Sequence, residues 1–153
     1  MKKQLTQTVM TIITLVALAN LCWPQVTLRD YREEAATQQR TLRLKFEKSL
    51  AGFGVWEGTV SGDIRGKLKT VMQVFHNSGD IWRVEFDFII DAGNDSFTTR
   101  LTGLLNPKTG KVFMDGFVST GFYEGAHVEE EGSLVDPATL KFVGSIKLIP
   151  RSR

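Results

Sequence analysis

Residues 81–91 have the sequence IWRVEFDFIID, in which large apolar side chains alternate with mostly charged ones. Successive side chains of a β-strand point to opposite faces, so this spacing of two predicts a strand with one aromatic and one charged face. The same alternation, less regular in places, occurs around residues 68–75, 97–105, 112–118 and 140–148. We therefore expect several long strands in one mainly β domain.

Short clusters of turn-forming residues separate these segments. Asn, Asp, Gly and Pro favour turns, and they are concentrated at Asn77–Asp80, Ala92–Asp95, Asn106–Gly110 and Asp136–Thr139. Consecutive antiparallel strands leave unpaired edges unless the sheet closes on itself. Glycines within the strands agree with closure, because barrels bend and their backbones approach closely at such positions. We predict a single antiparallel up-and-down β-barrel of about eight strands over residues 52–150.

The first 51 residues differ from this body, because they contain none of the chain's 14 glycines. Lys2 and Lys3 precede an uncharged apolar run that ends in Ala17-Leu18-Ala19. This order predicts a signal peptide over residues 1–19 and export of the protein, either to the periplasm or out of the cell. The alternative is an uncleaved membrane anchor through residues 6–24. Lipidation of Cys22 is a third possibility, although Leu21 departs from the small residue expected before a lipidated cysteine.

Residues 20–51 are predicted to form a linker with a short helix that precedes the barrel. Leu42, Phe46 and Leu50 recur at a spacing of four, which would place them on one face of a helix. The part before Leu42 contains many helix-forming residues but few apolar side chains. We therefore expect this part to act as a polar tether.

The aromatic face of the strands is the candidate functional site. An interior of about eight strands can be filled by side chains or can hold one small ligand. We predict a binding module for an apolar small molecule, and a filled core is the alternative. The candidate cavity residues are Trp82, Phe86, Phe88, Phe97, Leu101, Met114 and Phe142.

The C-terminal region resembles a known group of barrels. Glycines and a turn carry the resemblance, namely Gly121-Phe-Tyr-Glu-Gly125-Ala126, Gly132, Asp136, Thr139, Phe142, Gly144 and Ile146. This pattern is similar to the last two strands of the allene oxide cyclase-like and dirigent-like barrels. The resemblance implies an eight-stranded barrel with an apolar cavity, and it makes a cyclase-like or dirigent-like enzyme an alternative function.

A second resemblance lies at the start of the predicted barrel. Gly54-Val55-Trp56 is similar to the Gly-x-Trp motif of lipocalins, which belong to the calycin-like barrels. In that family the tryptophan plugs the closed end of the barrel, so the resemblance implies that Trp56 has this position.

No motif assigns a reaction, so the catalytic residues are unknown. His76 and His127 are the only histidines, and their separation matches no zinc-binding motif. A single cysteine cannot form an intrachain disulfide. Glu129–Glu131, with Asp136, could bind a hard cation such as calcium, but a solvent-exposed strand explains this acidic run better. We therefore predict neither a metal nor a cofactor.

The charge balance limits the classes of partner. The net charge is +2, from 19 Lys and Arg against 17 Asp and Glu, which is too small for binding nucleic acid mainly through charge. A third hypothesis is a membrane-tethered structural or interaction protein that binds partners through Phe113 and Phe117. Contact with a membrane is expected only if the N-terminal segment stays uncleaved. An outer-membrane barrel, with its apolar face outward, is the alternative to a soluble one.

Overall fold

The computed structural model describes residues 40–151 of the chain. The predicted signal peptide, the alternative membrane anchor, Cys22 and the predicted tether before residue 40 lie outside the described residues. Within residues 40–151, no helix is long and apolar enough to cross a membrane.

Eight antiparallel strands form one closed barrel, in which each strand pairs with the next along the chain. The strands are β1 (Leu42–Gly52), β2 (Val55–Gly62), β3 (Gly66–Asn77), β4 (Trp82–Asp91), β5 (Phe97–Asn106), β6 (Lys111–Gly121), β7 (His127–Asp136) and β8 (Lys141–Ile149). Pairing of β1 with β8 closes the sheet and removes its edges. The predicted up-and-down β-barrel is confirmed, and each of the predicted turn clusters lies at a connection between consecutive strands.

The prediction of a helix over Leu42–Leu50 is wrong, because this segment is strand β1. Leu42, Leu44 and Phe46 are buried and the residues between them are exposed, which is the pattern of a strand. Lys48 continues the inward row, so a charged side chain occupies a position where the alternation calls for an apolar one. Leu42, Phe46 and Leu50 are every second member of a row of side chains that recurs at a spacing of two, so they appeared at a spacing of four. The barrel therefore begins at residue 42 rather than at residue 52.

The end of the barrel where β1 begins and β8 finishes is closed by buried side chains, which include Ile64, Phe97 and Tyr123. The Tyr123 ring packs edge-on against Phe97 with the centroids 5.7 Å apart, and its hydroxyl donates a hydrogen bond to Asp95 over 3.2 Å. Burial, together with the carboxylate of Asp95, raises the pKa of Tyr123 to about 12. The phenol therefore remains a hydrogen-bond donor at neutral pH and holds this end together.

Apolar side chains fill the middle of the barrel above this closed end. Phe88, Leu101, Val128 and Leu148 have no exposed surface. They come from four different strands, so they tie opposite sides of the barrel together through one core.

Two facing glycines on β7 and β8 make room for an aromatic ring inside the barrel. Gly132 and Gly144 are register partners. A Cβ atom added at Gly144 would lie 2.7 Å from Phe46 Cε1, and one added at Gly132 would lie 3.0 Å from Phe46 Cζ. Both distances are too short for ordinary contact, so the ring of Phe46 packs against bare backbone that only glycine provides.

Candidate ligand-binding cavity

The opposite end of the barrel, formed by the β1–β2, β3–β4, β5–β6 and β7–β8 turns, is not filled. A cavity of about 480 Å³ occupies it, and residues from all eight strands line the cavity. The aromatic lining residues are Phe53, Trp56, Phe75, Trp82, Phe86 and Phe142. The volume is within the range of about 300–1,000 Å³ that is common for small-molecule sites. We call this end the cavity end.

Two aromatic side chains stand at the mouth of the cavity. Phe53, in the β1–β2 turn, is 99% exposed, and Phe75 on β3 is 48% exposed. Phe75 also packs edge-on against Trp82, with the ring centroids 5.1 Å apart. The mouth is therefore an apolar entrance, where aromatic rings can contact an apolar molecule before it is fully enclosed.

The structure separates the predicted cavity residues into two groups. Trp82, Phe86, Met114 and Phe142 line the cavity. Phe88, Phe97 and Leu101 are buried and point inward as expected, but they belong to the packed core toward the closed end and not to the cavity lining. The alternation gave the inward face of β4, β5, β6 and β8, from which these residues come, although it contained no information about depth along the barrel axis.

Trp56 lines the cavity near the start of β2 and does not plug the closed end. Its indole Nε1 donates a hydrogen bond to the carbonyl oxygen of Leu140 over 3.2 Å. Its ring packs edge-on against Phe86, with the centroids 5.4 Å apart. These contacts fix the wall of the cavity, because they hold a large aromatic side chain in one orientation.

Lys48 is the one charged side chain among the residues that line the cavity. It is 5% exposed, and its Nζ lies 4.1 Å from the centroid of the Phe88 ring. The centroids of Phe46 and Phe86 are 5.0 Å and 5.6 Å from the same nitrogen. Aromatic ring faces attract cations, so the three rings offset part of the hydration that the ammonium group loses at the floor of the cavity.

Glu130, on β7, faces Lys48 inside the barrel. Its Oε1 lies 4.0 Å from Lys48 Nζ, which is longer than a hydrogen bond. Neither carboxylate oxygen has a hydrogen-bond partner among residues 40–151, and the residue is only 2% exposed. A buried carboxylate without donors is costly unless a charge compensates it or it takes up a proton.

Burial shifts the pKa values of both groups toward neutrality. Desolvation raises the pKa of Glu130 to about 7, and the negative charge of nearby Glu131 contributes to the rise. The positive charge of Lys48 lowers this pKa but does not cancel the effect of burial. Desolvation also lowers the pKa of Lys48 to about 8 against the attraction of Glu130. Near neutral pH, the ion pair and the pair of neutral groups are therefore close in free energy.

Thr70, on β3, is a further buried polar residue next to this region. It has no exposed surface, and its Oγ1 has no hydrogen-bond partner within the described part of the chain. Its register partners are Trp56 and Phe88, which places it at the level of the cavity floor.

The sequence analysis did not identify Lys48 or Glu130. Glu130 belongs to the acidic run that we interpreted as exposed, but only Glu129 and Glu131 face outward. Glu129 contacts Lys147 on β8, with 3.0 Å between Oε2 and Nζ. The signal that could have revealed Glu130 is its position between Val128 and Gly132 in the inward row of β7.

The histidines lie away from the cavity. His76 is exposed near the end of β3. His127 lies on β7 with Asp115 Oδ2 at 3.7 Å and Glu129 Oε1 at 3.9 Å, and its ring is 5.2 Å from that of Phe117. Within residues 40–151, no group of three or more His, Cys, Asp and Glu side chains is placed to hold a metal ion.

The outer face of β6 carries the aromatic residues named in the third hypothesis. Phe113 is 52% exposed and Phe117 is 61% exposed. Leu104, the register partner of Phe113 on β5, is 50% exposed and extends this outer apolar surface. These side chains are not part of the cavity lining.

Comparison of the chain with family models, with curated proteins and with solved structures gave no match. The resemblances to allene oxide cyclase-like, dirigent-like and lipocalin barrels therefore stay predictions from the sequence.

Proposed function

We propose that this protein is a binding module that holds one apolar small molecule inside its barrel. The cavity of about 480 Å³, lined by residues from every strand and mostly by aromatic and aliphatic side chains, is the observation that carries the proposal. Removing apolar surface from water contributes about 25 cal/mol per Å². A closed barrel provides such a surface without any rearrangement of the chain, because the strands already hold the cavity walls.

The lining supports an apolar ligand rather than a polar one. Among the described residues, Lys48 is the only lining side chain that carries a charge, and Glu130 faces it from within the barrel. A strongly polar or multiply charged molecule would lose its hydration and find few partners in return. The ligand class is therefore a molecule with a large apolar body and at most one small polar group.

We also propose that the protein is exported, as the signal peptide predicted over residues 1–19 implies. The membrane anchor through residues 6–24 stays the alternative. Outside the cytoplasm, a barrel of this kind would carry or sequester a poorly soluble molecule.

A fluorescence titration with the neutral apolar probe N-phenyl-1-naphthylamine tests the binding function. We expect saturable enhancement of the probe's emission with one site per chain, because the cavity excludes water from the probe. About 0.3 kcal/mol per non-hydrogen atom gives a dissociation constant on the order of 100 µM or tighter for a probe of this size. Emission that rises in proportion to probe concentration without saturation would contradict a defined internal site.

A further inference from the structure

We infer that Lys48 forms a reversible imine with the carbonyl group of an apolar aldehyde or ketone held in the cavity, with Glu130 as its proton donor and counter-ion. The inference rests on the proposed binding function and adds a chemical class of ligand to it. It follows from the placement of one amine at the floor of the cavity, 4.0 Å from a carboxylate, where residues 40–151 supply no other charge to the lining and no hydrogen-bond donor to that carboxylate.

The charge balance at the cavity floor favours a ligand with a neutral polar group. Glu130 already compensates the ammonium of Lys48, so a ligand carboxylate would add an uncompensated negative charge to a buried site. A ligand ammonium would meet Lys48 as a like charge. An aldehyde or ketone is neutral, and its carbonyl group is the neutral function that an amine can bind covalently.

The surroundings of Lys48 Nζ suit the protonated imine as well as they suit the ammonium. Both species carry one positive charge at the same nitrogen, so Phe46, Phe86 and Phe88 stabilise either of them. Glu130 remains the counter-ion in both states. The site therefore does not need to rearrange its charges when the covalent bond forms.

The step balances with the groups that are present. Proton transfer within the pair gives a neutral Lys48 amine and a protonated Glu130. The amine lone pair attacks the carbonyl carbon, forming the C–N bond. After proton transfers, the former carbonyl oxygen leaves as water with the proton that Glu130 supplies. The products are a protonated imine on Lys48, a Glu130 carboxylate and one water molecule, so no oxidant or reductant is required.

The shifted pKa values agree with this geometry. Burial lowers the pKa of Lys48 to about 8, so more of this amine is neutral near pH 8 than of an ordinary lysine. A carboxyl group with a pKa of about 7 can both donate and accept a proton near neutral pH. Lysines that lose their charge in an apolar pocket are efficient nucleophiles toward carbonyl compounds.

Reductive trapping with decanal and sodium cyanoborohydride at pH 8 tests the inference on the full chain. Intact-mass analysis is expected to show one decyl group per chain, and peptide mapping to place it on Lys48. We expect Lys48 to react at least about tenfold faster than the exposed Lys45, because burial lowers the pKa of Lys48 and the cavity holds the aldehyde beside it. N-phenyl-1-naphthylamine should slow the labelling of Lys48 and leave Lys45 unchanged.

Two variants sharpen the test. Lys48→Arg keeps the positive charge beside Glu130 but cannot form the imine, so the fast adduct should disappear. Glu130→Gln removes the proton donor and should slow the labelling of Lys48 by at least about tenfold. The wild-type competition experiment gives an answer even if either variant fails to fold.

The outcomes distinguish the imine from the binding function. If the probe binds the wild-type protein but Lys48 is labelled no faster than Lys45, the imine is wrong and the binding function stands. If the probe does not bind and Lys48 is unlabelled, the binding function fails and the imine fails with it.

Discussion

Replacing Lys48 with Met and Glu130 with Leu in the same chain is expected to stabilise the barrel by about 1–4 kcal/mol at pH 7.5. Both groups are buried, their closest charged atoms are 4.0 Å apart, and Glu130 lacks hydrogen-bond donors among the described residues. Their attraction therefore does not repay the loss of hydration, whereas apolar side chains of similar volume would pack against Phe46 and Phe88. Urea unfolding followed by circular dichroism measures the difference.

An outward-facing pair provides the matched control. Lys147 on β8 and Glu129 on β7 form an ion pair on the outer face of the barrel, with their charged atoms 3.0 Å apart and both side chains partly exposed. Replacing them with Met and Leu should change the unfolding free energy by less than about 1 kcal/mol. Equal effects of the two double replacements would contradict the assignment of an unfavourable buried pair.

The stability gained by the double replacement should rise with pH below neutrality and fall with pH above it. The folded-state pKa of Glu130 is about 7, whereas the ordinary group has a pKa of 4.5. Protonation of Glu130 therefore contributes to the stability of the wild type below pH 4.5. This contribution is lost as the pH rises to 7. The folded-state pKa of Lys48 is about 8 against 10.5, so wild-type stability is recovered as pH rises from 8 to 10.5. Each limb amounts to roughly 3 kcal/mol.

The difference in unfolding free energy between the double variant and the wild type isolates these limbs from all other titrating groups. It should be largest between pH 7 and pH 8 and smaller at pH 5 and pH 10. A difference in unfolding free energy that stays constant from pH 5 to pH 10 would show that burial shifts the pKa of neither group.

Replacing Val84 with Trp is expected to weaken binding of N-phenyl-1-naphthylamine by at least about 30-fold, which corresponds to about 2 kcal/mol. Val84 is 1% exposed and lines the cavity from β4, between Trp82 and Phe86. An indole in its place would occupy space that the ligand needs. Val84 also belongs to the packed core, so the larger side chain is expected to lower stability by about 1–3 kcal/mol, and circular dichroism checks that the variant is folded.

Ile89→Trp is the control for this replacement. Ile89 lies on the same strand but is 39% exposed, so an indole at this position faces outward. Probe binding should then equal that of the wild type. If Val84→Trp also binds the probe with wild-type affinity, the probe does not occupy the cavity.

The architecture of the barrel was predictable because the alternation is strong in most of its strands. It is weakest where polar chemistry interrupts it. In β1, Lys48 takes the fourth place in the inward row that Leu42, Leu44 and Phe46 begin, and this charge concealed the strand and suggested a helix. In β7, Glu130 takes an inward place within an acidic run, and its neighbours concealed its burial. The two residues that break the local pattern are the ones that give the cavity floor its chemistry.

The depth of each residue was not predictable from single strands. Phe86 lines the cavity and Phe88, two residues later on the same face, belongs to the packed core. Which of them contacts the cavity depends on how far each lies from the cavity end. That distance is set by the register between neighbouring strands. It also depends on which end of the barrel is closed, and Phe97 and Tyr123 close the end opposite the cavity. Turn residues such as Phe53 and Pro107 join the lining for the same reason, because the connections bring them to the mouth.

A ¹³C-methyl spectrum of methionine-labelled protein, recorded with and without N-phenyl-1-naphthylamine, tests the central claim that the cavity binds an apolar molecule. The chain contains four methionines, and of these Met72 and Met114 line the cavity. Their signals are assigned by the variants Met72→Leu and Met114→Leu. We predict saturable shifts of both signals at the stoichiometry of one probe per chain, because aromatic rings change the shielding of methyl groups in contact with them. Unchanged Met72 and Met114 signals at a probe concentration that saturates the fluorescence would contradict the claim and place the binding site outside the barrel interior.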